Sequence, residues 1–267
     1  MSGRLFLQSL RWQQVRLAIV VVAGIGWGLL IPVFYNAFSD VMRDLANSGA
    51  FPRELMSFGS GSLFTLPGAM TLGLQHPLAI AMLGIFAVGA SATAVAGERA
   101  RGTLEVLLAR PISRLSLYAS ILGALLVAVL TVFGAIIGGM VGGSAIQGLT
   151  DELDLGQLPI VVLNGFGLWA AFTTFGLAAS VSFDRPGPAI GLSLAYLLIN
   201  YFLEILGSLW TDAAWTQDYS LFHHFNPGAI LSGEAVLTDL VIVFGAAVVP
   251  VIYALIVFPR RDLAAPA

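Results

Sequence analysis

The side chains able to do chemistry are few, and their types exclude more than they suggest. The chain of 267 residues has 15 carboxylates, three histidines and no cysteine. All 12 basic residues are arginines; there is no lysine. An ordinary P-loop closes on a lysine over the phosphates, so this chain does not carry one. Without cysteine there is no thiolate nucleophile, thiolate metal site or disulfide frame. His223 and His224 are adjacent, so on a helix they point about 100° apart, and His76 is remote from both. No HExxH spacing brings them together, so we assign no metal site and no catalytic residue. The serine of Gly59-Ser60-Gly61 has no base placed beside it and is not read as a nucleophile. Glu204 is the one acid well inside an apolar run, with Asn200 one helical turn earlier on the same face. An ionisable group at membrane depth is a functional candidate by default. We mark Asn200 and Glu204 as candidate polar residues of a path through the membrane, against the plainer reading that Glu204 is hydrated near an outer interface. Asn164 is ambiguous in the same way.

These residues sit in a chain with little charge. It is 58% hydrophobic and 10% charged, with mean hydropathy +0.90, against roughly 25% charged residues in a soluble domain. A bilayer core of roughly 30 Å needs about 20 apolar residues per helix. Runs of that length lie at about 17–36, 78–96, 117–141, 158–181, 188–209 and 236–258. Lipid leaves no partner for a free backbone group, so such runs are helices, and none alternates as a barrel strand does. The expected fold is an all-α polytopic membrane protein, residues 1–267 forming one transmembrane domain of six helices. Basic residues before the first run resemble a signal peptide, but the run is too long, so we read a retained helix. Residues 2–14 read as an interfacial helix. Pro67 and Pro77 interrupt the apolar sequence before the second span, so 66–76 reads as an outer interfacial segment. Residues 219–232, with Phe222, Phe225 and Pro227, are too short and polar to span and read as an outer re-entrant segment. Glycines four apart, at Gly24 and Gly28, at Gly134, Gly138 and Gly142, and at Gly187 and Gly191, mark close helix packing.

The arginines orient the spans. Arg4, Arg11 and Arg16 precede the first; Arg99, Arg101, Arg110 and Arg114 lie between the second and third. Arg185 follows the fourth, and Arg260 and Arg261 the sixth, leaving Arg43 and Arg53 opposite. Basic residues stay cytoplasmic, which places both termini inside the cytoplasmic membrane. The net charge of −3 provides no basic field for nucleic acid.

One inner loop is long and patterned. In residues 98–110, Leu104, Leu107 and Leu108 stand at i, i+3, i+4 and predict an apolar stripe on a short helix that Pro111 ends. Glu98 and Glu105, seven apart, share a face of that helix and favour docking to a protein over lying on anionic lipid. The stretch Glu98-Arg99-Ala100-Arg101-Gly102-Thr103-Leu104-Glu105, continuing through Leu107-Leu108 to Pro111 and Ser113-Arg114, resembles the coupling segment of ABC-2 type permeases. It is most similar to the branch that includes the permease of nitrous-oxide-reductase maturation. The resemblance is ungapped over 98–114; elsewhere it is one of layout, including Phe225-Asn226-Pro227-Gly228 before the last helix.

That resemblance implies a permease subunit paired with a second, identical one and with two separately encoded ATPase subunits. ATP and magnesium would then bind the ATPase and no cofactor this chain. It also implies that Glu98, Arg101, Gly102, Thr103, Leu104, Glu105, Leu107 and Leu108 form the contact transmitting ATP-driven motion to the spans, for export. The leucines would supply buried contact and the charges the register. The alternative is a secondary transporter or channel needing no ATPase. It is disfavoured by the few charges inside the spans and by the lack of an inverted repeat. An intramembrane enzyme would need more convergent polar groups at depth.

Overall fold

The computed structural model describes residues 3–48, 57–58, 61–62, 64–109, 111–234 and 237–261. Arg53, Glu54, Gly59, Ser60 and Arg110 lie outside the described residues. Apolar composition with every backbone group paired internally yields helix almost throughout. Among the described residues one two-residue antiparallel ladder also forms, in which Ser57 pairs with Ser62 and Phe58 with Gly61. Five helices among the described residues are long and apolar enough to cross a membrane. They are α1 (Gly3–Asn47), α7 (Arg114–Ile146), α8 (Leu158–Ser182), α9 (Pro186–Leu209) and α11 (Leu237–Arg260). A further pair, α2 (Leu66–Gln75) and the helix running on from Pro77, is apolar enough only when taken together and is bent by 50° at its break, as a broken span or a re-entrant loop is. The chain is an all-α, multi-pass membrane protein.

Local chemistry explains several boundaries. The Thr65 hydroxyl accepts from Gly68 N at 3.2 Å and starts α2, with Pro67 in its first turn. Pro77 forces the residue before it out of helical geometry, and His76 is extended at φ −68° and ψ 142°. His76 Nδ1 then accepts from Leu78 N at 3.2 Å, capping α3 (Pro77–Gly84). This helix continues through a π-helical stretch, Ile85–Ala90, into α4 (Ser91–Thr93). Two expectations change here. Residues 3–14 are not a separate interfacial helix but the first part of α1, which is 45 residues and so roughly 67 Å long. α2, expected to lie along the interface, is packed against protein instead of open on its surface: Leu66, Met70, Leu74 and Gln75 are all buried.

The glycines set one helix pair and correct another reading. A Cβ on Gly28 would stand 2.2 Å from Ile136 O, and one on Gly139 would stand 2.4 Å from Ile25 O. A Cβ on Gly143 would stand 2.8 Å from Leu29 O. α1 and α7 therefore run parallel with their backbones in contact, which is what small residues permit in lipid. The α7 glycines in that contact are Gly139 and Gly143, not Gly134 and Gly138, which have nothing within 4 Å of a built Cβ. Gly187 and Gly191 are equally open.

α8 is the central helix: 72% of its apolar window is buried, against 17% in α11. At the end where α8 begins, the chain from α9 to α10 (Pro227–Leu231) folds back into the bundle. Phe222 packs edge-on against Trp169 and Tyr201, and Phe225 against Phe133. Non-helical backbone at such depth must find partners in protein. Asn200 Oδ1 accepts from Leu221 N at 2.9 Å, and Asn164 Nδ2 donates to His224 O at 2.9 Å. Gln75 Nε2 donates to Phe225 O at 3.2 Å. The re-entrant reading of 219–232 agrees with this sheltering.

Candidate functional site

Where α4 ends, Ala94 and Val95 form a turn, and a side chain from another helix takes over their hydrogen bonding. Ser180 Oγ, on α8, accepts from Val95 N at 2.9 Å and Ala96 N at 3.0 Å. These amides open α5 (Ala96–Ala100). The chain then turns at Arg101 and Gly102, whose φ of 71° is left-handed and suits a residue without Cβ. α6 (Thr103–Leu108) follows, and Ser113, accepting from Ser116 N at 3.1 Å, caps α7.

The expected single helix over 98–110 is thus two short helices in an elbow. Gly102 breaks the register, so Glu98 and Glu105 do not share one helical face as expected. Glu98 instead closes the inside of the turn, its carboxylate accepting from the Arg101 guanidinium and the Thr103 hydroxyl. The leucine stripe also faces differently from the expected docking face. Leu104 is 2% exposed in the chain's own core, Leu108 packs against that core, and Leu107 lines a crevice against α1 and α7. The stripe holds α6 to its own bundle. What α6 turns outward is Thr103, Glu105 and Val106, the last 64% exposed, beside exposed Arg101 and Gly102.

Cationic groups fasten the elbow to the helix ends around it. Arg99 Nη1 pairs with Asp184 Oδ1 at 3.0 Å, just past the C-terminus of α8, and Arg261 pairs with the same carboxylate. Arg261 Nη1 also donates to Val181 O at 2.5 Å. Arg114 Nη1 donates to Phe258 O at 3.3 Å, Pro259 O at 3.2 Å and Arg261 O at 2.7 Å. Arginine here satisfies carbonyls that helix termini leave without partners and sits at the negative end of the dipole. Sequence reasoning missed Ser180, Asp184 and Val106. Asp184 carried a signal, being an acid set among the arginines of one end; a serine within an apolar helix carries none.

The two candidate polar residues of α9 lie at the opposite end. Asn200 is fully engaged: besides accepting from Leu221 N, its Nδ2 donates to Tyr196 O at 2.9 Å. Glu204 is 1% exposed, and its Oε1 accepts from Gln217 Nε2 at 3.0 Å. Its Oε2 has no hydrogen-bond partner among the described residues and faces His223 Nδ1 at 3.9 Å. The histidines are dispersed: His224 Nδ1 meets Asp239 Oδ1 at 2.9 Å, while His76 caps α3. Among the described residues no three ligating side chains converge as a metal site.

The family profile described as an ABC-2 family transporter protein matches residues 11–263, which take in the elbow and nearly the whole bundle. No curated protein and no solved structure matches the chain.

Proposed function

Because this chain belongs to the ABC-2 family of transporter proteins, we propose that its α5–α6 elbow is the part through which a separately encoded ATPase drives the membrane helices. As a member of that family the chain is a membrane-spanning transport component. In our reading ATP and magnesium are held by the ATPase subunit, two copies of this chain form the membrane core, and transport is outward across the cytoplasmic membrane. The clustering of Arg99, Arg114 and Arg261 at the elbow end supports a cytoplasmic elbow and cytoplasmic termini. The pattern of residues 98–114 supports the nitrous-oxide-reductase maturation branch. Of the two α9 residues, Glu204 is the better candidate for a translocation path, because one carboxylate oxygen remains for a cargo or a proton.

One observation carries the proposal. α6 is held inward by Leu104 and outside the bundle offers Thr103, Glu105 and Val106 to another surface. A helix lying on anionic lipid would show arginine there rather than Glu105. The contact residues we assign are therefore Arg101, Gly102, Thr103, Glu105 and Val106. Leu104, Leu107 and Leu108 act from behind as the anchor, and Glu98 holds the turn. Pushing on α6 then moves α5, and through Ser180 and Asp184 it moves the end of α8.

The test is Glu105→Arg in vesicles that hold the chain with its ATPase subunit. Charge reversal at a contact is expected to weaken coupling by about tenfold or more, equivalent to ~1.4 kcal/mol. The permease should insert normally while the hydrolysis rate falls to that of the ATPase alone. Full stimulation of hydrolysis by the variant would contradict the assignment.

A further inference from the structure

Behind the elbow lies a crevice, walled partly by Glu98, Arg101 and Leu107, whose interior the coupling reading does not use. It measures about 170 Å³ and is bounded by the first third of α1, the chain from Ala90 to Arg101, and the start of α7. That is room for about five or six water-sized groups. Its chemistry is divided. One wall is apolar: Leu117, Ile121 and Leu125 stand one turn apart on α7 and make a strip about 12 Å long. The rest mixes apolar groups with the neutral polar Gln8, Ser9, Gln13 and Thr93, and its charges are Arg16 and Arg101 opposed by the single carboxylate of Glu98. Arg101 is paired with Glu98, and Arg16 makes no ion pair with any described residue. The crevice therefore keeps one uncompensated positive charge.

Two further observations bear on the ligand. Gln13 lines the crevice with its Oε1 buried and without a hydrogen-bond donor, while its Nε2 donates to Ser9 O at 3.3 Å. A buried acceptor left open is costly, so this position wants a donor. Trp12, in the same lining, is 66% exposed, and Val15 and Ile19 on α1 are also exposed. Exposed tryptophan beside arginine, with bare aliphatics following, is the pattern of a membrane–water interface. The mouth of the crevice thus opens where lipid headgroups lie.

We propose that this crevice binds the headgroup of an anionic phospholipid bearing a free hydroxyl, of the phosphatidylglycerol kind. The phosphate sits between Arg16 and Arg101, the headgroup hydroxyl donates to Gln13 Oε1, and the acyl chains leave through the mouth toward the exposed Val15 and Ile19 of α1. Thr103, Glu105 and Val106 are not part of the lining, so lipid binding shares only Arg101 with the proposed ATPase contact, and Arg16 and Gln13 separate the two. A lipid in place would brace the inner side of the elbow through Arg101 and so influence how far α5 and α6 can move.

The experiment uses the full chain in phosphatidylcholine vesicles doped with phosphatidylglycerol, followed by extraction and native mass spectrometry of retained lipid. The wild type should retain phosphatidylglycerol in preference to phosphatidylcholine. Arg16→Gln should cut that retention about fivefold. Arg16→Lys, which keeps the charge, and Arg11→Gln, outside the lining, should retain it. Gln13→Leu should abolish the preference for phosphatidylglycerol over phosphatidate, which lacks the hydroxyl. Arg101→Gln, on a different element, provides an independent variant if Arg16→Gln inserts poorly. Equal retention of phosphatidylcholine by the wild type, or undiminished retention in both Arg16→Gln and Arg101→Gln, would overturn the proposal. Displacement of the lipid by soluble glycerol phosphate would also overturn it, by showing a free-anion site.

Discussion

Ser180 supplies one hydroxyl to two backbone amides on another helix, and nothing else described at the start of α5 does that work. Removing it leaves Val95 N and Ala96 N buried without acceptors, at about 1–3 kcal/mol for such a group. Ser180→Ala should therefore lower the thermal unfolding midpoint in detergent by the equivalent of ~2 kcal/mol. Ser193→Ala should do far less, because that buried hydroxyl only bonds back to Ala189 O within its own helix. Equal midpoints for the two variants would show that the Ser180 bridge contributes little. At this scale the sequence is only partly legible. Leucines at i, i+3 and i+4 announced an apolar face at 104–108, and the structure has one. The spacing does not say whether such a face meets its own bundle or another chain; Leu104 meets its own. Glu204 was legible as a buried acid because charge inside an apolar run is conspicuous. Its partner Gln217 was not, since the pairing depends on how the segment after α9 folds back.

Elements were easier to read than their breaks. The length of an apolar run is a property of composition, so the spans appear close to where hydropathy puts them. The elbow turns on a single glycine, and a glycine inside a helical pattern does not by itself declare a left-handed turn. The π-helical stretch Ile85–Ala90 has no sequence mark at all. The glycine faces show the same limit: α7 carries four-residue spacings on two adjacent faces, and spacing alone does not choose which meets α1. The choice is testable. Gly28→Ala and Gly139→Ala put a Cβ into facing backbone and should destabilise by about 1–3 kcal/mol, as overpacking does. Gly134→Ala and Gly138→Ala should be neutral or slightly stabilising, because alanine is the better helix former. Unfolding midpoints of the four variants in one detergent decide it; equal losses in both pairs would mean that the helices meet elsewhere.

Taken whole, the molecule has two unlike ends joined by α8. One end is closed by a folded-back segment that accepts hydrogen bonds from Gln75 and Asn164 and donates one to Asn200. The other is held by arginines on helix termini, with the elbow outside them. In the proposed coupling, a push at the elbow would reach α8 through Ser180 and Asp184, and α8 touches the far end through Asn164. This division is the one that the proposed coupling needs, with the elbow at one end and the folded-back segment at the other. The absence of native cysteine makes the central claim directly measurable. Val106→Cys introduces a single thiol on the outward face of α6. In membranes containing the chain and its ATPase subunit, a thiol-to-amine crosslinker should join that thiol to the ATPase, with a yield that changes between the ATP-bound and nucleotide-free states. Labelling of Val106→Cys by a water-soluble maleimide at the same rate with and without the ATPase, and no crosslink in either state, would contradict the account.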